Sequence, residues 1–539
     1  MEKSIYDQFH EVAVKYPFNL CIRFENKTLS YRQFDNRVHQ TARKLLALGI
    51  KPKDVVSVSI PNCIEAAELF YAISMIGAIS YNIHPLTPPE TLKKFMDRAN
   101  SKILFCLWNT GFVNRDYFPD DYVIVGINPY IKINCFKSSV FRAIGRKRQG
   151  LLRYHKLSKV RERDLVPFHP DEKDDAIYLN TGGTNGEPKI VRISSAAINY
   201  LGAVSYQLIG GPYEEIRLFA AIPLFHIFGL GMGLVTPLSF GGSTVLMLKF
   251  NTKEAIKHII KGHTNTLLGV PAIYNALLTK KQFYGNHLKK QLIAYVGGDA
   301  ISETLLDNWN NTMQIWGSEA RLYQGYGSTE GMVSIVNTRY NRSRKGSIGR
   351  AQPGERVRIV DQNGKEVPLG TLGEIEISGP MTMNGYLNDP EGTNQVLVKD
   401  GDVTWLKTGD YGYMDEDDYV FFKQRLKRIV KINGETLCPS DVESTILEMP
   451  EIFSAYCYGV PNERKGANFR VVAVTRKGKD QISDEEAKRL IFTKIKNSLP
   501  PAYMPDKVII MKELPRTPVG KINAKFFEDN PDPEGMEIK

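Results

Sequence analysis

Cysteine is scarce in this chain and follows no ligand or disulfide pattern. Among 539 residues the six cysteines are Cys21, Cys63, Cys106, Cys135, Cys438 and Cys457. They form no CxxC or Cys/His pair, which argues against a zinc site or a disulfide framework and favours a reducing compartment. The opening residues, MEKSIYDQFHEV, include acids and lack an apolar run. The sequence therefore predicts no signal peptide and a cytoplasmic protein.

Charge is missing between Leu218 and Leu248, a stretch as long as a membrane-spanning helix. Pro223, Pro237 and several glycines interrupt this stretch. We therefore expect short strands and a buried helix inside a large α/β domain rather than a membrane span. The composition, with 42% hydrophobic and 24% charged residues, is that of a globular protein, and the length predicts three or four structural units.

Acidic residues are nearly absent from the segment 132–163, which holds eleven Lys or Arg and the single acid Glu162. The apolar residues that fall on one side of a helix there are Phe136, Val140, Phe141 and Ile144. Two interpretations stay open: peripheral contact with an anionic membrane surface, or a solvated basic helix or loop with no partner. No nucleic-acid-binding signature accompanies the segment, so no nucleic acid is expected as a partner despite the net charge of +11.

Helix and strand patterns, in contrast, are abundant and alternate. VVSVSI at 55–60 is a β-branched strand with amphipathic helices on either side, and the same alternation returns after residue 191. This βαβ order predicts an α/β fold with largely parallel sheets. Active-site loops belong at the carboxyl ends of such parallel strands.

The pattern changes twice towards the C-terminus. After about residue 346 short alternating strands predict a β-rich subdomain, and from about residue 425 separate strands and helices predict an α+β lid. The predicted domains are therefore 1–424, with the β-rich part at about 346–424, and 425–539.

A glycine-rich loop lies at 178–191, YLNTGGTNGEPKIV. Its glycines let backbone amides approach an anion, its threonines add hydroxyl donors, and Lys189 adds a positive charge after Pro188. The loop matches neither the Walker pattern GxxxxGK[ST] nor GxGxxG. It is typical of a loop that wraps phosphate, with ATP as the first candidate; the alternative is a surface turn rich in Gly and Asn.

Four further segments extend this loop into a candidate site. YQGYGSTE at 323–330 offers an aromatic face for a purine, a hydroxyl for phosphate and a carboxylate for Mg²⁺. TGD at 408–410 ends in an aspartate that can accept both ribose hydroxyls. RLKRIVKINGETLCPSDVE at 425–443 is rich in lysine, and LPRTPVGK at 514–521 presents Lys521 on a loop shaped by Pro and Gly. Each segment alone is weak evidence for a nucleotide site, but the segments together and in this order are specific evidence for one.

Through these segments the chain resembles the adenylate-forming superfamily, which contains acyl-CoA synthetases, aryl-CoA ligases, nonribosomal peptide adenylation domains and beetle luciferases. The resemblance runs from LSYRQFDNRV at 29–38 to GKINAK at 520–525. It implies a large N-terminal domain of two parallel-type sheets with helices and a β-barrel subdomain. A small mobile α+β C-terminal domain, joined at a hinge near 425–427, would follow. It also implies an ATP-dependent ligase with Mg²⁺ as cofactor and coenzyme A as co-substrate.

The resemblance assigns nucleotide contacts by position. The residues implied at the pyrophosphate end of ATP are Thr181, Gly182, Gly183, Thr184, Asn185, Gly186 and Lys189. Those implied around adenine are Tyr326, which would stack on the ring, Gly327, Gly298, Asp299 and Ala300. Thr329 would hold the α-phosphate and Glu330 would bind Mg²⁺, and the pair implied at the ribose is Asp410 and Arg425.

Two lysines are assigned to the two half-reactions. Lys521 would bridge the substrate carboxylate, the α-phosphate and the ribose, because a carboxylate attacking ATP is one anion meeting another and needs a positive charge. The catalytic residues implied are therefore Thr329, Glu330, Lys431 and Lys521. After adenylation the small domain would turn at Lys427 and present Lys431 to an incoming thiol, with Gly434 and Glu435 lining the thiol tunnel. A β-hairpin stabilised by surface charges is the alternative for this segment.

PLFHIFGLG at 223–231 resembles the acyl- and aryl-CoA ligases within the superfamily. The corresponding histidine lies beside their acyl pocket and helps gate the tunnel, whereas a packed core histidine is the alternative for His226. Amino-acid-activating members carry an FDxS aspartate in this region, and its absence favours an unaminated acid. The expected pocket walls are Phe225, His226, Val296, Gly297, Tyr323 and Gly325. Apolar and aromatic walls suit an alkyl or aryl group.

Three hypotheses for function stay open. The first is an acid:CoA ligase that converts ATP and a fatty or aromatic acid to acyl-CoA, AMP and pyrophosphate. The second makes the same acyl-adenylate but passes it to a carrier-protein phosphopantetheine or another nucleophile. The third is a nucleotide-binding homologue with weakened turnover. Gly182 and Asn185 motivate it, because they replace a serine and a threonine of the usual loop TSGTTGxPK and remove two hydroxyls. Arg428 and Gln424 also depart from the family pattern.

Overall fold

The computed structural model describes residues 3–110, 117–131, 133–134, 137–139, 151–161, 164–171, 173–181, 187–209, 213–299, 301–338, 343–433, 435–476, 482–516 and 522–534. The chain divides into two compact units. The described residues of the first lie within 3–181, 188–357 and 377–406, and those of the second are Glu187 and residues within 358–376 and 407–534.

The secondary structure follows the predicted alternation closely. The strands are β1 Leu20–Phe24, β2 Lys27–Ser30, β3 Val55–Ser59, β4 Ile79–Asn82, β5 Ile103–Leu107, β6 Val123–Ile127, β7 Leu152–Arg153, β8 Asp175–Asn180, β9 Ile190–Ser194, β10 Arg217–Ala220, β11 Ser243–Leu246, β12 Thr266–Gly269, β13 Ile293–Val296, β14 Leu322–Ser328, β15 Met332–Val336, β16 Arg350–Ala351, β17 Arg356–Val360, β18 Gly373–Ser378, β19 Gly385–Tyr386, β20 Leu397–Asp400, β21 Val403–Met414, β22 Val420–Arg425, β23 Val430–Ile432, β24 Glu435–Leu437, β25 Ile452–Asn462, β26 Gly466–Thr475 and β27 Lys507–Ile510. The α-helices are α1 Ile5–Lys15, α2 Tyr31–Ala47, α3 Ile64–Met75, α4 Pro89–Arg98, α5 Ser195–Ile209, α6 Ile227–Leu230, α7 Thr236–Leu238, α8 Thr252–Ile260, α9 Pro271–Leu278, α10 Glu303–Ile315, α11 Pro390–Val396, α12 Pro439–Leu447, α13 Asp484–Ser498 and α14 Ala524–Asp529.

Two large sheets form the frame of the first unit. One has the strand order β19-β9-β8-β4-β3-β5-β6-β7 and the other β16-β15-β14-β13-β12-β10-β11-β1-β2. Their centres are parallel, as in the pairings of β4 with β8 and of β12 with β13, and antiparallel strands are added at the edges. The prediction of largely parallel sheets is therefore confirmed.

Helices pack on these sheets through large buried side chains. On the nine-stranded sheet, Tyr274 of α9 and Trp309 of α10 meet edge to face with ring centroids 4.9 Å apart, and Phe283 lies 5.5 Å from the same indole. All three are fully buried or nearly so. Aromatic contacts of this kind supply much of the apolar burial that stabilises a domain.

The uncharged stretch 218–248 contains β10, a helical run and β11. The helical run is α-helical at α6 and α7 and π-helical between them, at Gly231–Val235. It is buried throughout, as predicted for the interior of an α/β domain. Among the described residues no helix is both long enough and apolar enough to cross a bilayer.

The β-rich region predicted after residue 346 contains a five-stranded sheet of order β17-β18-β21-β20, with β22 paired to β21. In the second unit β25, β26 and β27 form a three-stranded sheet, which α12 and α13 cover. Its core includes the fully buried residues Val442, Phe469, Val471, Ile491 and Ile495. The α+β character predicted for the C-terminal part is thus observed. The domain boundary at 424/425 stays a prediction.

Candidate active site

The two ends of the glycine-rich loop are held together at the end of a hairpin. β8 runs antiparallel to β9, with Asn180 opposite Ile190. Just beyond this pair the Lys189 amide donates to Thr181 Oγ1 at 3.1 Å, and the Thr181 amide donates to the Lys189 carbonyl at 2.8 Å. The hairpin pairing thus ends where the glycine-rich loop begins, and Thr181 and Lys189, which flank the loop, are held side by side.

Lys189 has two further partners that the sequence reasoning missed. Its Nζ lies 2.9 Å from Asp389 Oδ2 and 4.6 Å from the centre of the Tyr386 ring. The Tyr386 hydroxyl in turn donates to Glu330 Oε1 at 3.1 Å. Burial and the Glu330 charge raise the pKa of Tyr386, so the phenol stays protonated and acts as a donor. The predicted phosphate-loop lysine and the predicted magnesium carboxylate are therefore joined through one tyrosine.

The turn that carries Thr329 and Glu330 connects β14 to β15. Gly331 closes it by donating its amide to Ser328 Oγ at 3.1 Å, and the Glu330 carbonyl accepts from the Met383 amide at 2.8 Å. A side chain at Gly327 would put its Cβ 1.6 Å from the Met332 carbonyl oxygen, so only glycine fits there. Contacts on both sides thus hold the backbone of the turn at Glu330.

The predicted acyl-pocket residues on β13 and β14 lie next to one another. Tyr295 and Val296 of β13 pair in parallel with Tyr323 and Gln324 of β14. Val296 and Tyr323 are buried. A Cβ on Gly297 would lie 3.0 Å from the Gly325 carbonyl oxygen and 3.3 Å from the Phe228 ring. The carboxyl ends of these two strands and the start of α6 are therefore close neighbours.

Phe225 and His226 lie just before α6. The Phe225 ring packs edge-on against His84 with centroids 4.7 Å apart, and burial lowers the pKa of His84. His226 is exposed, and its Nδ1 accepts the Phe228 amide at 3.3 Å. The histidine caps a helix rather than filling the core, and His84 is an aromatic neighbour that sequence reasoning missed.

Gly298 and Asp299 follow β13 as an exposed turn in which Gly298 has φ +79°. Tyr326 is half-buried on β14. These predicted adenine neighbours therefore lie on adjacent strand ends of the nine-stranded sheet.

In the second unit the two predicted ribose ligands are paired with each other. Arg425 Nε lies 3.0 Å from Asp410 Oδ1, and Arg425 Nη1 donates to the Thr408 carbonyl at 3.2 Å. Asp410 is 3% exposed, and its amide donates to Thr408 Oγ1. The TGD motif and the arginine face each other because β21 and β22 pair with Asp410 opposite Arg425.

The predicted hinge and thiol-tunnel segment forms a short 3₁₀ turn and a hairpin. Lys427 is exposed in the turn Leu426–Arg428, and Lys431 is exposed on β23. β23 pairs with β24, on which Glu435 is exposed. The hairpin predicted as an alternative is thus the local structure, and it leaves the assigned side chains in solvent.

The predicted site residues outside the described ranges are Gly182, Gly183, Thr184, Asn185, Gly186, Ala300, Gly434 and Lys521. Half of the basic segment 132–163 also lies outside them, including the apolar residues of its predicted helix face, Phe136, Val140, Phe141 and Ile144.

Most of the chain matches a known family. Residues 9–387 match the family of AMP-binding enzymes, and residues 441–521 match the C-terminal domain of that family. The chain belongs to the AMP-binding enzyme family. The resemblance to adenylate-forming enzymes is thereby confirmed.

Relatives of this AMP-binding enzyme include CoA ligases, and the similarity covers most of both chains. It is 29% identical to 4-coumarate–CoA ligase 2 of Nicotiana tabacum, over 92% of this chain and 88% of the tobacco protein. It is 26% identical to a long-chain-fatty-acid–CoA ligase of Bacillus subtilis, over 96% of this chain and 93% of that protein. The relatives are AMP-forming acid–thiol ligases, so the predicted enzyme class is confirmed.

The fold of the AMP-binding enzyme also matches a solved structure. ATP-bound MatB from Rhodopseudomonas palustris superposes with a TM-score of 0.81 at 23% identity, over 98% of this chain and 99% of MatB. This likeness confirms the predicted α/β architecture with a large N-terminal and a smaller C-terminal domain.

The departure at Arg428 has a structural reason in this AMP-binding enzyme. The guanidinium pairs with the Glu443 carboxylate and lies over the Tyr456 ring, 4.7 Å from its centre. Glu443 also accepts the Cys457 amide at 2.7 Å. Gln424, the other departure, is buried and accepts from Ser440 through its Oε1. Both replacements attach the start of the C-terminal region to α12.

A cavity of about 670 Å³ in the first unit is not the predicted site. Its described lining includes Lys53, Lys173, Arg192 and Asn384, together with the first residues of β4 and β8. It therefore lies at the amino ends of those parallel strands, whereas the candidate site lies at carboxyl ends. Lys53 is paired with Asp174 at 2.9 Å, and Arg192 Nη1 lies 3.7 Å from Asp175.

Proposed function

We propose that the protein is an ATP-dependent carboxylic acid:CoA ligase that first forms an acyl-adenylate and then an acyl-CoA. The observation that carries the proposal is the chain of contacts from Lys189 through Tyr386 to Glu330. It connects the phosphate loop to a carboxylate suited to a magnesium ion, and both are needed to bring an anionic acid against ATP.

In the first half-reaction a substrate carboxylate oxygen attacks the α-phosphorus and pyrophosphate leaves. Lys189 and Thr181 neutralise and orient the departing pyrophosphate, and Thr329 donates to the α-phosphate. Lys521 bridges the two reacting anions as a point charge with three donors. Loss of one such charge-stabilising donor typically lowers a rate by about 10²-fold or more.

The residues around Glu330 fit a magnesium ion. Its side chain is half-buried, and a single phenol donor holds one of its oxygens. A carboxylate is the kind of oxygen ligand that Mg²⁺ prefers. Mg²⁺ bound by Glu330 would neutralise phosphate charge, and the protein's own contribution is to hold the carboxylate through Tyr386 and the Glu330 backbone through the Met383 amide.

The proposed acid is a fatty or aromatic carboxylic acid. Buried Val296 and Tyr323, with Phe228 against Gly297, give apolar and aromatic walls at the strand ends. The tobacco relative is named for 4-coumarate and the Bacillus relative for long-chain fatty acids. These names support an unaminated acid and leave both alkyl and aryl groups as candidates.

The proposed acceptor is the thiol of coenzyme A. The exposed hairpin β23–β24, with Lys431 and Glu435 on its surface, supports it because a thiol carrier must reach the adenylate from solvent. A carrier-protein phosphopantetheine is the second candidate, since it presents the same thiol on a larger partner. The relatives are CoA ligases, which favours the first.

The test is ATP–pyrophosphate exchange over a panel of alkyl and aryl acids, followed by AMP release with and without coenzyme A. We expect exchange with at least one acid and AMP release that depends on coenzyme A. Lys521→Ala and Lys189→Ala should lose exchange, whereas Lys257→Ala, which removes a surface lysine paired with Glu254, should keep it.

Each contrary outcome has a defined meaning. Exchange together with AMP release that coenzyme A does not stimulate would favour a carrier protein over coenzyme A as the acceptor. No exchange with any acid, with ATP still bound, would favour the weakened homologue. Full exchange in Lys521→Ala would remove that lysine from the reaction.

A further inference from the structure

A cluster of four donor groups lies between the first two helices, on the first unit. α1 contributes Tyr6 and His10, and α2 contributes Asp35 and His39. Each pair is spaced i, i+4, so its two side chains project from the same helix face one turn apart. One ring nitrogen each of His10 and His39 and one carboxylate oxygen of Asp35 lie within 4.8 Å of one another.

The Asp35 carboxylate lies close to a nitrogen of each histidine, and the Tyr6 hydroxyl lies beside all three residues. The Tyr6 hydroxyl lies 3.0 Å from His10 Nδ1, 3.1 Å from Asp35 Oδ1 and 2.7 Å from His39 Nε2. His10 Nδ1 lies 3.1 Å from Asp35 Oδ2, and His39 Nε2 lies 3.9 Å from Asp35 Oδ1. Tetrahedral zinc with bonds of about 2.0–2.1 Å places its ligand atoms about 3.3 Å apart.

The two helices that carry this cluster are capped at their N-termini and packed against each other. α1 begins at a capping box between Ser4 and Asp7, and α2 begins at one between Ser30 and Gln33. Phe9 joins the helices, since its ring lies 5.5 Å from that of Phe34. Both phenylalanines are buried. Donors on packed helices keep their positions better than donors on loops.

The cluster is reachable from solvent. The His10 side chain is 43% exposed, that of His39 30% and that of Asp35 15%. Both rings nevertheless turn a nitrogen inward towards the same carboxylate. Two imidazoles and one carboxylate form the ligand set of many three-ligand zinc sites, in which a water completes the tetrahedron.

We propose that His10 Nδ1, Asp35 and His39 Nε2 bind a divalent transition-metal ion of the zinc class, which clamps α1 to α2. Tyr6 is a positioning residue: its phenol donates to Asp35 and orients the carboxylate. The early expectation against a zinc site rested on cysteine spacing, and a site made of residues from two helices leaves no short motif in the sequence. The ion differs from the magnesium proposed for the reaction, because nitrogen ligands favour zinc over Mg²⁺.

The test uses full-length protein without a histidine tag, stripped with EDTA and titrated with zinc chloride in the absence of ATP. We expect one zinc per chain by calorimetry and elemental analysis. His10→Gln, Asp35→Asn and His39→Gln should each weaken binding at least tenfold. Tyr6→Phe keeps all three ligands but loses the phenol that orients Asp35, so it should weaken binding less than loss of a ligand does.

The matched control is His263→Gln. His263 Nδ1 lies 3.2 Å from His258 Nδ1, so this pair is another histidine cluster, without a carboxylate in the described set. Circular dichroism of the stripped variants checks that each is folded. The proposal is overturned by any of four results: no stoichiometric zinc in the wild type, unchanged binding in His10→Gln, Asp35→Asn or His39→Gln, loss of zinc in His263→Gln, or displacement of zinc by a tenfold excess of Mg²⁺.

Discussion

Tyr386 joins two groups that the motifs assign separately. Its ring lies under the Lys189 ammonium and its hydroxyl holds the Glu330 carboxylate. These three residues are distant in sequence, and only the pairing of β19 with β9 brings Tyr386 opposite Val191 beside the loop. A tyrosine in NGYLNDP carries no signal of its own, so the motif reading could not find it.

Replacing this one hydroxyl gives a sharp prediction. Tyr386→Phe keeps the ring beneath Lys189 but removes the donor to Glu330. A hydrogen bond to a charged group is worth about 1.5–3 kcal/mol, so we expect adenylation to fall about 10- to 100-fold, with a higher magnesium requirement. Pyrophosphate exchange at several Mg²⁺ concentrations measures both. Tyr200→Phe, which loses a hydroxyl bonded to the Pro353 carbonyl, is the control. An unchanged magnesium requirement in Tyr386→Phe would remove this positioning role.

A second residue of interest is Glu65, which is buried on α3 beside Glu68. Arg37 pairs with Glu68, and its Nη2 lies 3.9 Å from Glu65 Oε1. Tyr154 donates to Glu68 at 2.9 Å, whereas Glu65 Oε2 has no hydrogen-bond partner in the described part of the chain. Burial and the neighbouring Glu68 therefore raise the pKa of Glu65.

This raised pKa makes stability depend on pH. The folded protein holds the Glu65 proton more tightly than the unfolded chain, so proton binding at Glu65 contributes to the free energy of unfolding. This contribution is full below the ordinary glutamate pKa of about 4.3 and is lost as pH rises through the raised pKa. Between pH 5 and pH 9 we expect the free energy of unfolding of Glu65→Gln to increase relative to that of the wild type. The increase should be about 1.4 kcal/mol for each unit by which folding raises the pKa of Glu65. Urea unfolding measures it, with the exposed Glu254→Gln as control. A difference that does not vary with pH would contradict the assignment.

At the scale of elements, the predicted alternation of strands and helices is observed, but glycines do not mark every strand end. β13 ends just before Gly297 of VGGDA, whereas β14 runs through Gly325 and Gly327 to Ser328. The π-helical stretch Gly231–Val235 was not predicted, because its buried apolar sequence fits any tightly packed helix. Partners across elements, such as His84 with Phe225, depend on tertiary packing that periodicity does not contain.

In the C-terminal region the role of Arg428 also depends on contacts between elements that the sequence pattern does not show. Family comparison treats an arginine there as a departure, but its meaning depends on Glu443 of α12 and Tyr456 of β25. Three elements meet at this side chain. Their meeting explains why the substitution is compatible with the fold.

At the scale of the whole molecule, the proposed adenylation step uses residues from both units, whereas the proposed thiol step uses residues of the second. The phosphate-loop flanks, Thr329 and Glu330 belong to the first unit, and Asp410, Arg425, Lys427, Lys431 and Glu435 to the second. A ligase of this kind must first protect the adenylate from water and then admit a thiol. Separate lysines for the two steps allow a substitution to affect one step alone.

Lys427→Pro tests this separation. Lys427 lies in the 3₁₀ turn Leu426–Arg428, whose hydrogen bond runs from the Ile429 amide to the Leu426 carbonyl, so a proline at 427 removes no donor that the turn uses. Proline fixes φ near −65° and opposes rotation there. We expect pyrophosphate exchange to stay within about twofold of the wild type and thioester formation to fall about tenfold, which is about 1.4 kcal/mol of barrier. Single-turnover measurement of each half-reaction separates the two. Lys427→Ala, which loses the charge but keeps the rotation, should retain both rates. Equal losses in both half-reactions of Lys427→Pro would argue that residue 427 is not a hinge.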